Sequence, residues 1–331
     1  MTTPDPFAHL DVVVQDVTGR DGFQNVAPWI PTETKVELLR GIVGAGVPWL
    51  EVTSFVHPKW VPQLRDAEEV CAALAEDLGA APGAPRPVLS ALVPNAKGVA
   101  RAVGRGIDAV SLTISASEAH ARANLNRGRA ELLDAAGDAI AAAREAGLEP
   151  RGGIATAFGC PIQGDVPLSE LAWVVGRYAE LGLSVIRLGD TTGMAHPRQV
   201  REAVTALRAE HPDVTFVLHL HDTRGMGIAN AIAGVEAGLR HLDAALGGLG
   251  GCPFAPGASG NVDLIDLVHA AEEIGWRTGV DLDALIALGR RLPDLTGLQA
   301  DSRVLVAGKR SDLAGREAVR EDGSMPAQLR G

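Results

Sequence analysis

Two hydrophobic rhythms alternate along the chain. Short apolar runs, many rich in β-branched residues, occur at 12–17 (VVVQDV), 49–54 (WLEVTS), 88–93 (VLSALV), 109–114 (AVSLTI), 152–157 (GGIATA), 184–189 (SVIRLG), 214–221 (VTFVLHLH) and 241–246 (HLDAAL). Between them lie segments such as TETKVELLRGIVGAG (32–46) and LLDAAGDAIAAAREAGL (132–148), whose apolar residues recur every three or four positions. The first rhythm reads as buried strands and the second as amphipathic helices. Strands that alternate with helices pair in parallel. Eight such units predict a closed (βα)8 TIM barrel, an α/β fold, rather than an open doubly wound sheet. Two more helices are expected around 262–275 and 281–291, so residues 1–307 read as one barrel domain with extra C-terminal helices. The polar tail at 308–331 reads as loosely held. GAAPGAPRP (79–87) is punctuated as a surface loop.

In a parallel barrel, chemistry gathers at the C-terminal ends of the strands. Nearly every strand end here supplies polar or ionisable groups. The first gives Arg20, Asp21 and Gln24; the second Glu51 and Ser54; the third Asn95. The fourth gives Ser117, Glu118 and Asn124; Arg151 precedes the fifth, which runs into FGCP. The sixth gives Arg187, Asp190 and Thr191; the seventh His219, His221 and Asp222; the eighth Cys252 and Asn261. The opposite loops, such as GAGVP (44–48) and AELGLS (179–184), are bland.

LHLHD (218–222) is the sharpest of these signals. Residues i and i+2 of a strand share a face, so the two imidazoles stand about 6–7 Å apart at Cα and can converge on one cation. Two imidazoles with a carboxylate and an amide oxygen form a mixed N/O donor set, open to Mg²⁺, Mn²⁺ or Zn²⁺. Asp222 reads as orienting a histidine or capping the next helix rather than binding metal.

Composition narrows the function further. The chain has 331 residues, 46% hydrophobic, and a net charge of −11, which argues against a nucleic-acid partner. Its three cysteines, Cys71, Cys160 and Cys252, form neither a disulfide framework nor a zinc pattern. No apolar run reaches membrane-spanning length, and MTTPDPFAHL does not read as a signal peptide. The expectation is a soluble protein of a reducing cytoplasm. Cys71 and Cys160 read as buried packing residues, His57 as a loop residue and His196 as an exposed turn residue. Lys97, Arg105 and Arg122 are open to contact with phosphates at the barrel mouth.

GRDGFQN, EVTSFVHPKWVPQ, SASEAHARANLN, FGCP, LGDTTGM, HLHDT and GGLGGCPFAPGASGN follow one another in this order. Together they resemble the 3-hydroxy-3-methylglutaryl-CoA lyase family of the DRE-TIM metallolyases, over about residues 10–290. The Arg-Asp pair and the HxH are shared across that superfamily, whereas SFVHPKWVPQ and the glycine–cysteine segment are specific to the lyase branch. The resemblance implies metal ligands Asp21, His219, His221 and Asn261 and a divalent Mg²⁺ or Mn²⁺. It implies that Arg20 stabilises the enolate oxygen of the acyl-CoA product and that Cys252 is a mobile acid–base group. Glu51 and Asp190 would be further active-site carboxylates. Gln24, Ser54, Asn124, Arg151 and Arg187 would lie on the substrate side. The implied reaction is carbon–carbon cleavage of an acyl-CoA to acetyl-CoA and a keto acid, by a homo-oligomer.

The chain departs from the family pattern at several places. It reads TGRDGFQNV where the family has GPRDGLQNE, His57 and Arg187 where serines are usual, Arg122 and Ala123 for two lysines, and VDLID after GASGN where the family has ATED. These changes leave the chemistry in place and open the acyl group to variation, a citramalyl-CoA-like ester among the alternatives. A condensing enzyme of the isopropylmalate synthase type and a catalytically inactive metal-binding barrel are the competing readings.

Overall fold

The computed structural model describes residues 6–79, 86–251 and 260–312. Eight parallel strands close into a barrel in strict sequence order. They are β1 (Val13–Asp16), β2 (Trp49–Ser54), β3 (Val88–Leu92), β4 (Ala109–Ser115), β5 (Glu149–Ala155), β6 (Val185–Asp190), β7 (Thr215–Leu220) and β8 (His241–Ala244). The crossover helices are α1 (Thr32–Gly44), α2 (Ala67–Gly79), α3 (Ala96–Ala102), α4 (Glu118–Leu125), α5 (Arg129–Glu145), α6 (Leu168–Glu180), α7 (Pro197–Glu210) and α8 (Gly227–Glu236). After β8 come α9 (Leu264–Ile274), α10 (Leu282–Thr296) and the short α11 (Arg303–Ala307). All eight predicted strands and both extra helices are present. The division at residue 307 falls just before the tail, most of which lies outside the described residues.

The apolar face of each helix packs on the outside of the barrel, burying among others Leu38, Leu39 and Ile42 of α1 and Val174, Val175 and Tyr178 of α6. The Tyr178 hydroxyl donates to the Leu112 carbonyl at 2.9 Å, so its polar end is satisfied in the core. The barrel interior is different in kind. Glu51, Ser90, Ser111, Arg151, His219 and Asp243 are all buried on the strands. Charges placed this deep survive only when paired, and the pairings define the site.

No helix of the described residues is long and apolar enough to cross a membrane. Cys71 lies in the core, where burial pushes its thiol up to about 12, as expected of a packing residue.

Candidate active site

β1 ends abruptly in a single π-helical turn, Thr18–Gly22, whose five residues are all buried. The Val17 carbonyl accepts from the amides of Arg20, Asp21 and Gly22 at 3.2, 2.8 and 3.1 Å. Turns of this kind are rare and concentrate at functional sites. Asp16 holds the turn's start, accepting from the Thr18 amide at 3.0 Å and the Thr18 hydroxyl at 2.6 Å. Gly19 is required here, because a Cβ would sit 2.4 Å from the Val52 carbonyl oxygen. The tight winding lets two consecutive side chains, Arg20 and Asp21, both face the barrel mouth and bond to one another.

His219 and His221 share one face of β7, their ring centroids 5.3 Å apart. Asp21 Oδ2 lies 3.4 Å from His221 Nε2 and 3.8 Å from His219 Nε2. One donor atom from each of the three residues falls within 4.8 Å of the others. The fourth expected ligand arrives from the far end of the glycine-rich segment. Asn261 forms an antiparallel bridge with His221, and its Nδ2 donates to Asp21 Oδ2 at 2.8 Å and to the Leu249 carbonyl at 2.9 Å. Its Oδ1 is buried without a partner among the described residues. A buried oxygen left without a donor is costly, and a cation held by Asp21 and the histidines would satisfy it. The residues present therefore fit a divalent metal.

His219 has a partner that the sequence analysis did not single out. Asp243 of β8 stands opposite it in the β7–β8 register, and its Oδ2 accepts from His219 Nδ1 at 3.0 Å. A carboxylate on Nδ1 fixes that proton and leaves the Nε2 lone pair for a metal. Burial pushes the His219 pKa below its usual value, against the Asp243 hydrogen bond. Signals were available: Asp243 interrupts an apolar strand, and it shares an inward face with His241.

Arg20 and Glu51 form the second half of the site. Arg20 Nε donates to Glu51 Oε2 at 2.5 Å. Glu51 Oε1 accepts from the Ser111 hydroxyl at 2.5 Å and from Arg187 Nη1 at 2.9 Å. Burial opposes ionisation of Glu51, but Arg187 and Arg20 overcome it and hold the carboxyl at about 2. Asp21 behaves likewise: burial raises its pKa, yet Arg20 beside it, with both imidazoles, holds it well below the carboxylate range.

The other expected site residues are placed differently. Cys252 lies outside the described residues. Asp190 and Ser54 are buried at strand ends, but their oxygens meet the backbone: Asp190 accepts from the Met194 amide at 2.8 Å and the Ala195 amide at 3.1 Å, and Ser54 from the Val56 amide at 3.2 Å. Gln24 is half-buried just beyond the π turn.

Asn124 and Arg151 make no contact with the Asp21–His219–His221 cluster among the described residues. Asn124 is exposed on α4. Arg151 stacks on the Trp49 ring at 3.3 Å from its centroid and pairs with Glu149, at the N-terminal end of the barrel. Its described contacts are with Trp49 and Glu149 rather than with the Arg20–Asp21 cluster.

Several polar strand-end residues turn out to be helix caps. Asn95 accepts from the Lys97 and Gly98 amides, Ser117 from His120, His196 from Gln199, and Asp222 from Gly227. Cys160 is buried, with the amides of Ile162 and Gln163 directed at its sulfur. His57 is an exposed loop residue accepting from the Lys59 amide.

The HMGL-like family matches residues 11–291. The chain belongs to that family. This HMGL-like chain is 38% identical over 279 residues to the hydroxymethylglutaryl-CoA lyase YngG of Bacillus subtilis, covering 84% of the chain and 91% of the relative. It is 41% identical over 295 residues to the (R)-citramalyl-CoA lyase of Chloroflexus aurantiacus, covering 86% and 93%. In three dimensions it is similar, with a TM-score of 0.84 and 41% identity, to an HMG-CoA lyase of Acinetobacter baumannii in complex with coenzyme A and 3-methylmalate, covering 95% of this chain and 99% of that one.

Proposed function

We propose that the protein is a divalent-metal-dependent lyase that cleaves 3-hydroxy-3-methylglutaryl-CoA to acetyl-CoA and acetoacetate. The observation that carries the reading is the convergence of Asp21, His219 and His221 beside Arg20 at the mouth of the barrel. In the reaction the C3 hydroxyl loses its proton and the C2–C3 bond breaks. A carbonyl forms at C3, and the bonding electrons pass to the acetyl-CoA enolate, which is protonated at C2.

Asp21, His219, His221 and Asn261 would hold Mg²⁺ or Mn²⁺, whose charge lowers the pKa of a bound hydroxyl. Arg20 commits Nε to Glu51 and Nη1 to Asp21. Its Nη2, without a partner among the described residues, is free to donate to the developing enolate oxygen. The fixed guanidinium plane means that little reorganisation accompanies that charge.

Cys252 would supply the proton to C2. Gly250, at the start of its loop, has φ +119° and packs against Asn261 and Asp21. The Asn25 side chain donates to the Gly251 carbonyl at 2.8 Å, so the loop's entry is anchored over the site. Gln24 would face the substrate from the same side.

The 41% identity to a citramalyl-CoA lyase favours a second substrate, (R)-citramalyl-CoA, cleaved to acetyl-CoA and pyruvate. The two esters share the enolate half and differ by one methylene before the carboxylate. The test is acetyl-CoA release from each ester by the Mg²⁺- or Mn²⁺-loaded protein, with His219→Ala as control. Acetoacetate or pyruvate as co-product decides between them. Absence of turnover of either ester by protein that binds metal would overturn the reading.

A further inference from the structure

The buried charges of the site close into a ring. Arg20 bonds Glu51, Glu51 bonds Arg187, Arg187 pairs with Asp243, Asp243 bonds His219, His219 faces Asp21, and Asp21 returns to Arg20. Two guanidinium groups are interleaved with three carboxylates. Arg187 is the member that joins the two halves: its Nη1 reaches Glu51 Oε1 at 2.9 Å and its Nε lies 2.6 Å from Asp243 Oδ2. Glu51 is the residue that orients Arg20, and Asp243 is the residue that orients His219.

We propose that Arg187 is a positioning residue that fixes the enolate-side arginine and the metal-side histidine relative to one another, rather than a receptor for the substrate's carboxylate. The inference rests on the metal-site reading above. Arg187 stands on β6 opposite Gly153 of β5 and Val217 of β7, neither of which offers it a polar side chain. Its guanidinium therefore crosses the barrel interior to β2 on one side and β8 on the other. Glu51 has other donors, from Arg20 and Ser111. For Asp243, by contrast, Arg187 is the cation that the described residues supply, and Asp243 Oδ1 has no partner among them. Losing the guanidinium would leave a buried carboxylate with the His219 imidazole as its one remaining side-chain partner among the described residues, the costly case for a broken buried pair. The planar guanidinium sets one edge against each carboxylate, Nη1 in a hydrogen bond to Glu51 and Nε in a charge contact with Asp243 that lacks hydrogen-bond geometry. An ammonium on a flexible stem can serve one.

The experiment measures Mn²⁺ affinity of the substrate-free protein alongside kcat and KM for whichever acyl-CoA the wild type cleaves. Arg187→Met is expected to weaken Mn²⁺ binding about 10–100-fold, the usual effect of losing a partner behind a metal ligand. It should also lower kcat with KM little changed. The Arg187→Met/Asp243→Asn double variant is expected to bind Mn²⁺ no more weakly than Asp243→Asn alone, because both act through His219. Arg187→Lys, which keeps the charge, is expected to recover only part of the loss. Should Arg187→Met fail to fold by circular dichroism, Arg187→Lys paired with Asp243→Asn gives the same comparison. Additive losses of Mn²⁺ affinity, or a wild-type affinity with a raised KM, would overturn the proposal, the latter by assigning Arg187 to substrate. Failure of the wild type to cleave either ester would sink the proposed function yet leave the Mn²⁺ coupling to judge Arg187.

Discussion

His219 and Asp243 stand opposite one another across the β7–β8 register and are joined Nδ1 to Oδ2 at 3.0 Å. The bond sets the imidazole's tautomer and its rotation together, so Nε2 faces Asp21. Asp243→Asn removes the charge while keeping the shape. Metal affinity measured by calorimetry is expected to fall about 10–100-fold. An unchanged affinity would mean that the strand backbone alone orients His219.

Arg20 is expected to act in the transition state more than in binding. Arg20→Gln should lower kcat by about 10²–10³, the range seen when one preorganised donor to a developing oxyanion is removed. Metal affinity should be largely kept, since Asp21 and both histidines remain. A variant that loses metal instead of kcat would show that Arg20 mainly holds Asp21.

Gly250 has φ +119°, and a Cβ there would lie 2.5 Å from Asn261 Nδ2. Gly250→Ala therefore meets both backbone strain, about 1–3 kcal/mol, and a clash with a proposed ligand. The expected outcome is lower thermal stability together with weaker metal binding. If stability falls while metal affinity stays at the wild-type value, the loop entry relaxes without moving Asn261.

Asp190 separates a structural role from a chemical one. Its carboxylate receives the Met194 and Ala195 amides, which shape the turn between β6 and α7. Asp190→Ala orphans those donors and is expected to cost about 1–3 kcal/mol of stability, read by urea unfolding. Full stability with lost turnover would instead place Asp190 in the proton transfers.

Asp16 gives a pH dependence of defined sign. Burial pushes its carboxyl up to about 7, against the hydrogen bonds from Thr18, from 3.8 in the unfolded chain. Between those values the folded protein keeps a proton that the unfolded chain has released. Stability contributed at this site therefore falls as pH rises through that window and levels off above it. Glu51, held at about 2 against 4.5 unfolded, acts only at lower pH. Urea unfolding at about pH 5 and pH 8 should show a shallower loss for Asp16→Asn than for the wild type. Equal slopes would show that Asp16 is ionised in the folded state.

The barrel was legible because strand and helix periods differ, 2 against 3.6 residues, and both persist along the chain. The HxH on β7 was legible for the same reason: alternation alone puts His219 and His221 on one face. A polar residue at a strand end was harder to read. Asn95, Ser117 and Asp222 carry the same chemistry as ligands but cap helices, because a side-chain oxygen near an unpaired amide bonds to it unless the fold supplies something better.

The sequence by itself determined the fold class, the shared face of the two histidines and the family motifs around them. Tertiary structure decided the partners. That Arg20 meets Glu51, that Arg187 spans Glu51 and Asp243, and that Arg151 stacks on Trp49 all depend on barrel closure and register, which set where residues distant in the chain meet. The π turn after β1 belongs to the same class, since its winding is held by Val52 and Leu246 from other strands and loops. Local pattern fixes which way a side chain leaves its strand; only the closed barrel fixes what it finds there.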